Sequence, residues 1–561
     1  MADKASTLLK QLERLKDIYG DDTAARKLEL LRELATCRLG RAREVLRLHE
    51  VLCFLRAYPD NKQLLEEVER MLEGFTHRRD LRRHRKRLAD SGIAGTVINF
   101  SFFWFTARWL ARRWPDRLSI DWGNFGGKKK LEDILHLLLP YCETPALDEL
   151  TFSPREWVNR LKGPGESDAA FLIGRFAALH ADSFGRETIY EGLDIPIRLA
   201  PGPDTPTRTH AKYPAAPVVF QTRPLSRARP DLRREVKRPP RAVRSVPPRE
   251  GEKLIDLARE AMITRSRDLD VFEHGDKNDV RLVDCGRGLQ FACIGALPER
   301  RLLLEAVYGF LTLKNGVPTG YVLASTLFRS SEVAYNVFET YRGGESAFIY
   351  GRFLAALRHL FGTDTFTIDP YQLGYDNPEG LQSGAWWFYY KLGFRPYDSE
   401  VRRILRGERK RMRRNPRHRS SLATLRKLAA QNVFLHLQRP RKDVLGQVSL
   451  GNIGLRITRT LADRFGADRE SAIRTCSREA ARLLGLPSLR SFSAGERLAW
   501  ERWSPLIMTL PGVKRWSRAD KQALVRVVRA KGGRRESDFV SLFDRHRRLR
   551  QAVLKLAQQK K

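Results

Sequence analysis

Gly374-Tyr-Asp-Asn-Pro-Glu-Gly-Leu-Gln-Ser-Gly-Ala-Trp-Trp-Phe-Tyr-Tyr-Lys-Leu-Gly-Phe394 is the stretch on which the reading of this chain turns. It reads as a short helix that Gly393 closes, because a glycine just past the last turn takes the left-handed conformation without steric cost. A strand is expected from Phe394. Working upstream, Thr365-Phe-Thr-Ile368 is a compact run of strand formers. Before it, Ile349, Phe353, Leu357 and Leu360 keep the spacing of one helix face. Further upstream the apolar period becomes that of strands, over residues 280–283, 289–293, 305–313, 317–325 and 332–339. Asn315-Gly316, between the third and fourth of these, marks a two-residue hairpin, since both turn positions need positive φ.

The end of the opening stretch, Phe388-Tyr-Tyr-Lys-Leu-Gly-Phe394, resembles the Leu/Phe-Tyr-x-Lys-Leu-Gly-Phe signature of the GNAT superfamily, the acyl-CoA-dependent N-acyltransferases. The resemblance extends to Fem-type transferases, which use the same fold with an aminoacyl-tRNA donor. It covers roughly residues 280–400, about a fifth of the chain. The order of strands, loop, helix, strand, helix and strand is the one it implies. The expected fold class is multidomain α+β. Residues 1–185 form an N-terminal all-α domain, and 186–250 a Pro/Arg-rich linker that wraps the next domain. Residues 251–400 carry a GNAT-like mixed β-sheet flanked by helices, and 401–561 a basic, mostly helical region. Val433-Phe-Leu-His-Leu437 is read as the last strand of the sheet, displaced along the chain by a basic insertion.

The resemblance also implies a site. Acyl transfer from a thioester to an amine needs the donor held, the amine deprotonated, the oxyanion stabilised and the thiolate protonated. The motif tyrosine falls on Tyr389, as proton donor to the leaving thiolate; packing among Trp386, Trp387 and Phe388 is its bland alternative. Glu339, near the end of the fourth strand, is the first choice of base and Glu332 the second. The pyrophosphate loop falls on Arg342-Gly343-Gly344-Glu345-Ser346-Ala347, with Glu345 where the family has a glycine. A glycine turn with no ligand is the other reading of that loop. Gln382 stands for the family's helix-opening asparagine, with Asn377 as an alternative. The implied donor is acetyl-CoA or another acyl-CoA. No H-E-x-x-H, P-loop lysine or G-x-S-x-G elbow is present, and no metal is expected.

The formal net charge of +37 attracts polyanions over a long range. Arg and Lys gather at 78–87, 223–244, 402–419 and 545–550, which makes RNA or DNA a partner to test. A basic nucleic-acid-binding or scaffold protein on an inactive GNAT-like fold is therefore the rival reading. The six cysteines form no C-x-x-C pair, which argues against a zinc ribbon or redox motif. They read as reduced thiols in a cytoplasmic protein. The aromatic run 95–110 is short of the roughly 20 apolar residues a span needs; it reads as a buried helix, with an interfacial amphipathic helix as the sharper alternative.

Overall fold

The computed structural model describes residues Ala2–Gln558. The fold is mixed α and β and divides into two compact units that interleave along the chain. The first comprises Met1–Leu225, Lys253–His274 and the hairpin tip Leu313–Thr319; the second comprises Ser226–Glu252, Gly275–Thr312 and Gly320–Lys561.

The first unit is helical at its start. Helices Ala2–Leu15, Asp21–Thr36, Ala42–Ala57 and Lys62–Glu73 bury Leu12, Leu31, Leu48, Leu52 and Val68 in one core. A second core gathers Trp104, Leu110, Phe176 and Tyr190. The aromatic run does contribute a helix, Trp104–Arg113, and Trp104 is 1% exposed. Periodicity did not reveal the small antiparallel sheet beside it, made of β1 (Ile98–Phe100), β2 (Leu118–Ile120) and β3 (Ile197–Leu199) in the order β1-β3-β2. Three-residue strands are too short to show an alternation.

Among the described residues the larger sheet has nine strands, which belong to the second unit apart from the tip of the β7–β8 hairpin: β4 (Ala242–Ser245), β5 (Gly275–Asp284), β6 (Leu289–Ala296), β7 (Ala306–Lys314), β8 (Val317–Leu327), β9 (Ser330–Val337), β10 (Thr365–Ile368), β11 (Arg395–Pro396) and β12 (Val433–His436). Their order across the sheet is β11-β12-β10-β9-β8-β7-β6-β5-β4. The β7–β8 turn has Asn315 at φ 49° and Gly316 at φ 79°, the conformation the Asn-Gly pair was expected to take. β9 and β10 pair parallel, while β12 lies antiparallel between β10 and β11.

Helices cover this sheet. The Pro/Arg-rich segment supplies α1 (Leu232–Glu235) and then enters the sheet as edge strand β4. It crosses α2 (Ser346–Phe361), where Glu235 pairs with Arg352 at 3.0 Å and Arg352 also donates to the carbonyls of Arg238 and Pro239. Gly351 makes this close approach available: a Cβ there would lie 3.1–3.3 Å from Glu235, Leu232 and Pro230. The opening stretch of sequence forms two helices rather than one, α3 (Pro378–Ser383) and α4 (Ala385–Lys391). Gly384, at φ 69°, ends the first in a left-handed cap. Gly393, at φ 106°, leads out of α4 toward β11. The C-terminal helices, including Ala494–Thr509, Arg518–Lys531 and Glu536–Arg545, share one core with the sheet through Trp500, Trp503, Phe539 and Phe543. Among the described residues no helix is long and apolar enough to cross a membrane.

Candidate active site

The parallel pair of strands comes apart. Ser330, Ser331 and Glu332 of β9 stand opposite Thr365, Phe366 and Thr367 of β10. β10 ends one residue later at Ile368, whereas β9 continues to Val337. Residues 333–337 therefore keep β8 on one side and have no β10 partner on the other. The result is a fork, at whose far end Arg342 Nε donates to the Val337 carbonyl at 3.2 Å.

Side chains alternate across β9. Val333 and Tyr335 point to the α2 and α4 side, where Val333 joins the core and the Tyr335 ring lies 5.0 Å from Tyr350 of α2. Tyr350 lies in turn 5.7 Å from Tyr389 of α4. Tyr335 donates from its hydroxyl to the Ser346 carbonyl at 3.1 Å. The Tyr350 hydroxyl is buried and has no hydrogen-bond partner. Burial pushes the phenol of Tyr389 above its ordinary value, so it holds its proton. The motif tyrosine thus borders the unpaired half of β9, and it packs as well.

Glu332, Ala334 and Asn336 occupy the opposite face of β9. Burial pushes the Glu332 carboxyl up to about 7, helped by the charges of Asp369 and Glu305. A carboxyl that titrates near neutrality suits proton abstraction from an amine. The side-chain oxygen of Asn336 is buried without a donor. Asp369 follows directly on β10, where it caps the helix Pro370–Leu373 through Tyr371 N at 2.8 Å.

Other residues named from the sequence sit elsewhere. Glu339 is exposed on the single turn Glu339–Tyr341, past the end of β9, because the strand stops at Val337 rather than running to Glu339. Arg342 is exposed and forms an ion pair with Glu379 of α3. Gly343 is exposed at φ 80°, next to the half-buried Gly344, and Ser346 and Ala347 open α2. Glu345 is 3% exposed and accepts from Ser226 N at 3.5 Å. It is thus turned into the covering segment instead of into solvent. No side chain caps α2, so its first N–H groups are available to an anion. Gln382 is exposed on α3. Asn377 caps α3 through Gly380 N at 3.1 Å.

Sequence reasoning missed Tyr335, Asn336, Tyr350 and Asp369. Tyr335 and Asn336 lay within a run already read as strand. Their signal was a pair of polar-tipped residues in an otherwise apolar strand that leads into a glycine loop. Tyr350 reads as one more apolar position on its helix.

The helix that follows β11 carries a basic surface. In α5 (Ser399–Arg414), Val401 and Leu405 are buried. Arg402, Arg406, Arg409, Lys410, Arg413 and Arg414 are exposed. Arg403 and Arg411 are tied to Glu400 and Glu408. The loop after α5 touches the motif helix, since Trp387 Nε1 donates to Ser420 Oγ at 3.2 Å.

No protein-family model matches the chain, and neither a curated protein nor a solved structure matches it significantly.

Proposed function

We propose that this protein is a GNAT-like N-acyltransferase that moves an acyl group from an acyl-CoA, acetyl-CoA by default, to an amine. The observation that carries the reading is the fork between β9 and β10, with a neutral tyrosine on one side and a near-neutral carboxylate on the other. The strand order, with β12 inserted between β10 and β11, supports it, as does the motif helix α4 beside the fork.

In this reading the donor's thioester arm occupies the fork, and its phosphates meet the uncapped start of α2 with Gly343, Gly344 and Ser346. Glu332, as carboxylate, takes the proton from the ammonium of the acceptor. The amine nitrogen then attacks the thioester carbonyl, forming the C–N bond, and the C–S bond breaks. Tyr389 gives its phenol proton to the departing thiolate, and the second proton, lost from the attacking nitrogen as the amide forms, passes through solvent to restore the phenol. The products are an amide and a free thiol. In this reading Glu345, which accepts from Ser226 N, turns its carboxylate away from the phosphates. Glu339 has no part in this scheme.

A second reading rests on the exposed guanidinium and ammonium groups of α5. It makes the protein a polyanion binder, or a transferase whose donor is carried on RNA. A thermal-shift screen of the whole chain with acetyl-CoA, CoA and a generic RNA separates the two, since a ligand that binds the native state alone raises Tm. Stabilisation by acetyl-CoA and CoA supports the first reading. Stabilisation by RNA alone, lost as salt rises, supports the second and removes the first.

A further inference from the structure

In the first unit, Asp270, Glu273 and His274 bring three ligand atoms within 4.8 Å of one another. The spacing is that of one helical turn: Asp270–Glu273 is helical and His274 is its cap. Positions i, i+3 and i+4 share a face. Glu273 and His274 are buried, at 6% and 3% exposed, while Asp270 is exposed, so the group opens to solvent on one side only.

Two acidic neighbours already have work. Asp268 accepts from Phe103 N at 2.8 Å and Thr106 Oγ1 at 2.8 Å, and Glu191 accepts from Trp104 N at 3.3 Å. Both serve the start of the helix Trp104–Arg113, where negative charge is favoured. Glu273 is different. Its side chain hydrogen-bonds Asp268, yet its Oε1 is buried without a partner among the described residues, an expensive condition for such a group. Arg259 donates to the backbone carbonyls of Phe272 and Glu273 at 3.1 and 2.7 Å. The imidazole of His274 is held by Phe105, 4.2 Å from ring to ring, with Nε2 3.9 Å from Glu187.

We infer that Asp270, Glu273 and His274 form a binding site for a first-row divalent cation of the zinc type. One imidazole nitrogen and two carboxylate oxygens are a borderline donor set, which suits Zn²⁺ better than Mg²⁺ or Ca²⁺. Donors on one ion at about 2.0–2.2 Å lie roughly 3–4 Å apart, so closure needs only a small swing. The exposed Asp270 side chain is free to make it. Three protein ligands leave one position to water. The ion would satisfy the bare Glu273 oxygen and tie Lys253–His274 into a fixed turn.

The test is calorimetric titration of the chelator-treated full chain with ZnCl₂ and, separately, MgCl₂. Wild type is expected to bind one Zn²⁺ much more tightly than Mg²⁺. Asp270→Asn, at an exposed position that leaves the fold intact, weakens Zn²⁺ at least tenfold, and His274→Asn abolishes the site. Cobalt substitution gives no thiolate charge-transfer band, because no cysteine is a ligand. Failure of wild type to bind Zn²⁺, undiminished binding by Asp270→Asn with native circular dichroism, or a thiolate band from the tightest site would each overturn the inference.

Discussion

Two sets of buried polar groups in the second unit are kept in opposite ways. Around β5 and β7, the side chains of the set bond to one another and to the C-terminal helices, with only the second oxygens of Asp279 and Glu536 left over. Tyr308 donates to Asp279 at 2.7 Å, Glu536 N donates to the same oxygen at 3.1 Å, and Ser537 N donates to Tyr308 at 2.8 Å. Lys531 pairs with Glu536 and donates to the Glu305 carbonyl at 2.7 Å. At the fork, by contrast, the Tyr350 hydroxyl and the Asn336 side-chain oxygen have none, and the Glu332 carboxyl sits near neutrality. The bonded set ties the C-terminal helices to β5 and β7. An open one leaves binding capacity unspent, which is the condition a substrate site requires.

The comparison breaks most decisively through chemistry. Tyr389→Phe and Glu332→Gln are each expected to lower kcat by about 10²–10⁴-fold, with acyl-CoA affinity nearly unchanged, in an assay of thiol release. Wild-type kcat should rise as pH passes through about 7, the value to which the Glu332 carboxyl is pushed, and Glu332→Gln should abolish that rise. The same raised value fixes a sign for stability. Its contribution is complete below the ordinary 4.5 and is lost as pH rises through about 7. Urea unfolding of Glu332→Gln should lack that decline. Equal pH profiles for both proteins would remove Glu332 from the mechanism.

Next in size is the closed network. Lys531→Met leaves Glu536 buried without its cation and should cost about 3–5 kcal/mol in urea unfolding, without changing ligand affinity at the fork. A matched pair then sharpens the contrast. Tyr308→Phe takes one of two donors from Asp279 and the acceptor from Ser537 N and should destabilise by about 1–3 kcal/mol, whereas Tyr350→Phe removes a hydroxyl with no partner among the described residues and should be neutral or slightly stabilising. Comparable losses from both would mean that the fork is as closed as the network. Smallest is the effect at the surface. Reversing Arg411, Arg413 and Arg414 should reduce the salt dependence of RNA binding by about 0.7–0.9 in log–log slope for each phosphate that is no longer neutralised. An unchanged slope would leave α5 as a solvated face.

How much of this was legible follows from range. The Asn315-Gly316 turn declared itself because two residues decide it. Val433–His436 was recognisable as a strand because its four residues are apolar or aromatic and a basic, helix-forming stretch precedes them. The end of β9 was not legible: Phe338 continues the apolar run, yet the chain turns there, so Glu339 was preferred to Glu332. The break at Gly384 was equally hidden, since a glycine inside a helical pattern is tolerated as often as it terminates. The Pro/Arg-rich segment is divided: residues up to Leu225 belong to the first unit, and α1 and β4 to the sheet unit. Its strand was unreadable because Ala242–Ser245 is mostly exposed and carries no alternation. The openness of the fork depends on where β10 stops relative to β9, a difference between two distant segments that no local pattern records.

The position of β12 has a consequence during synthesis. β11 leaves the ribosome directly after the motif helix, but its only neighbour in the sheet is β12, which is made later, beyond all of α5. At roughly 5–20 residues per second, β10 spends several seconds as an uncapped edge, with Phe366 and Ile368 ready to pair with any strand it meets. The highly charged α5 emerges in that interval and keeps the incomplete chain in solution by like-charge repulsion. A nascent chain stalled before Val433 should therefore aggregate when α5 is neutralised and stay dispersed when it is not, as sedimentation of released nascent chains would reveal.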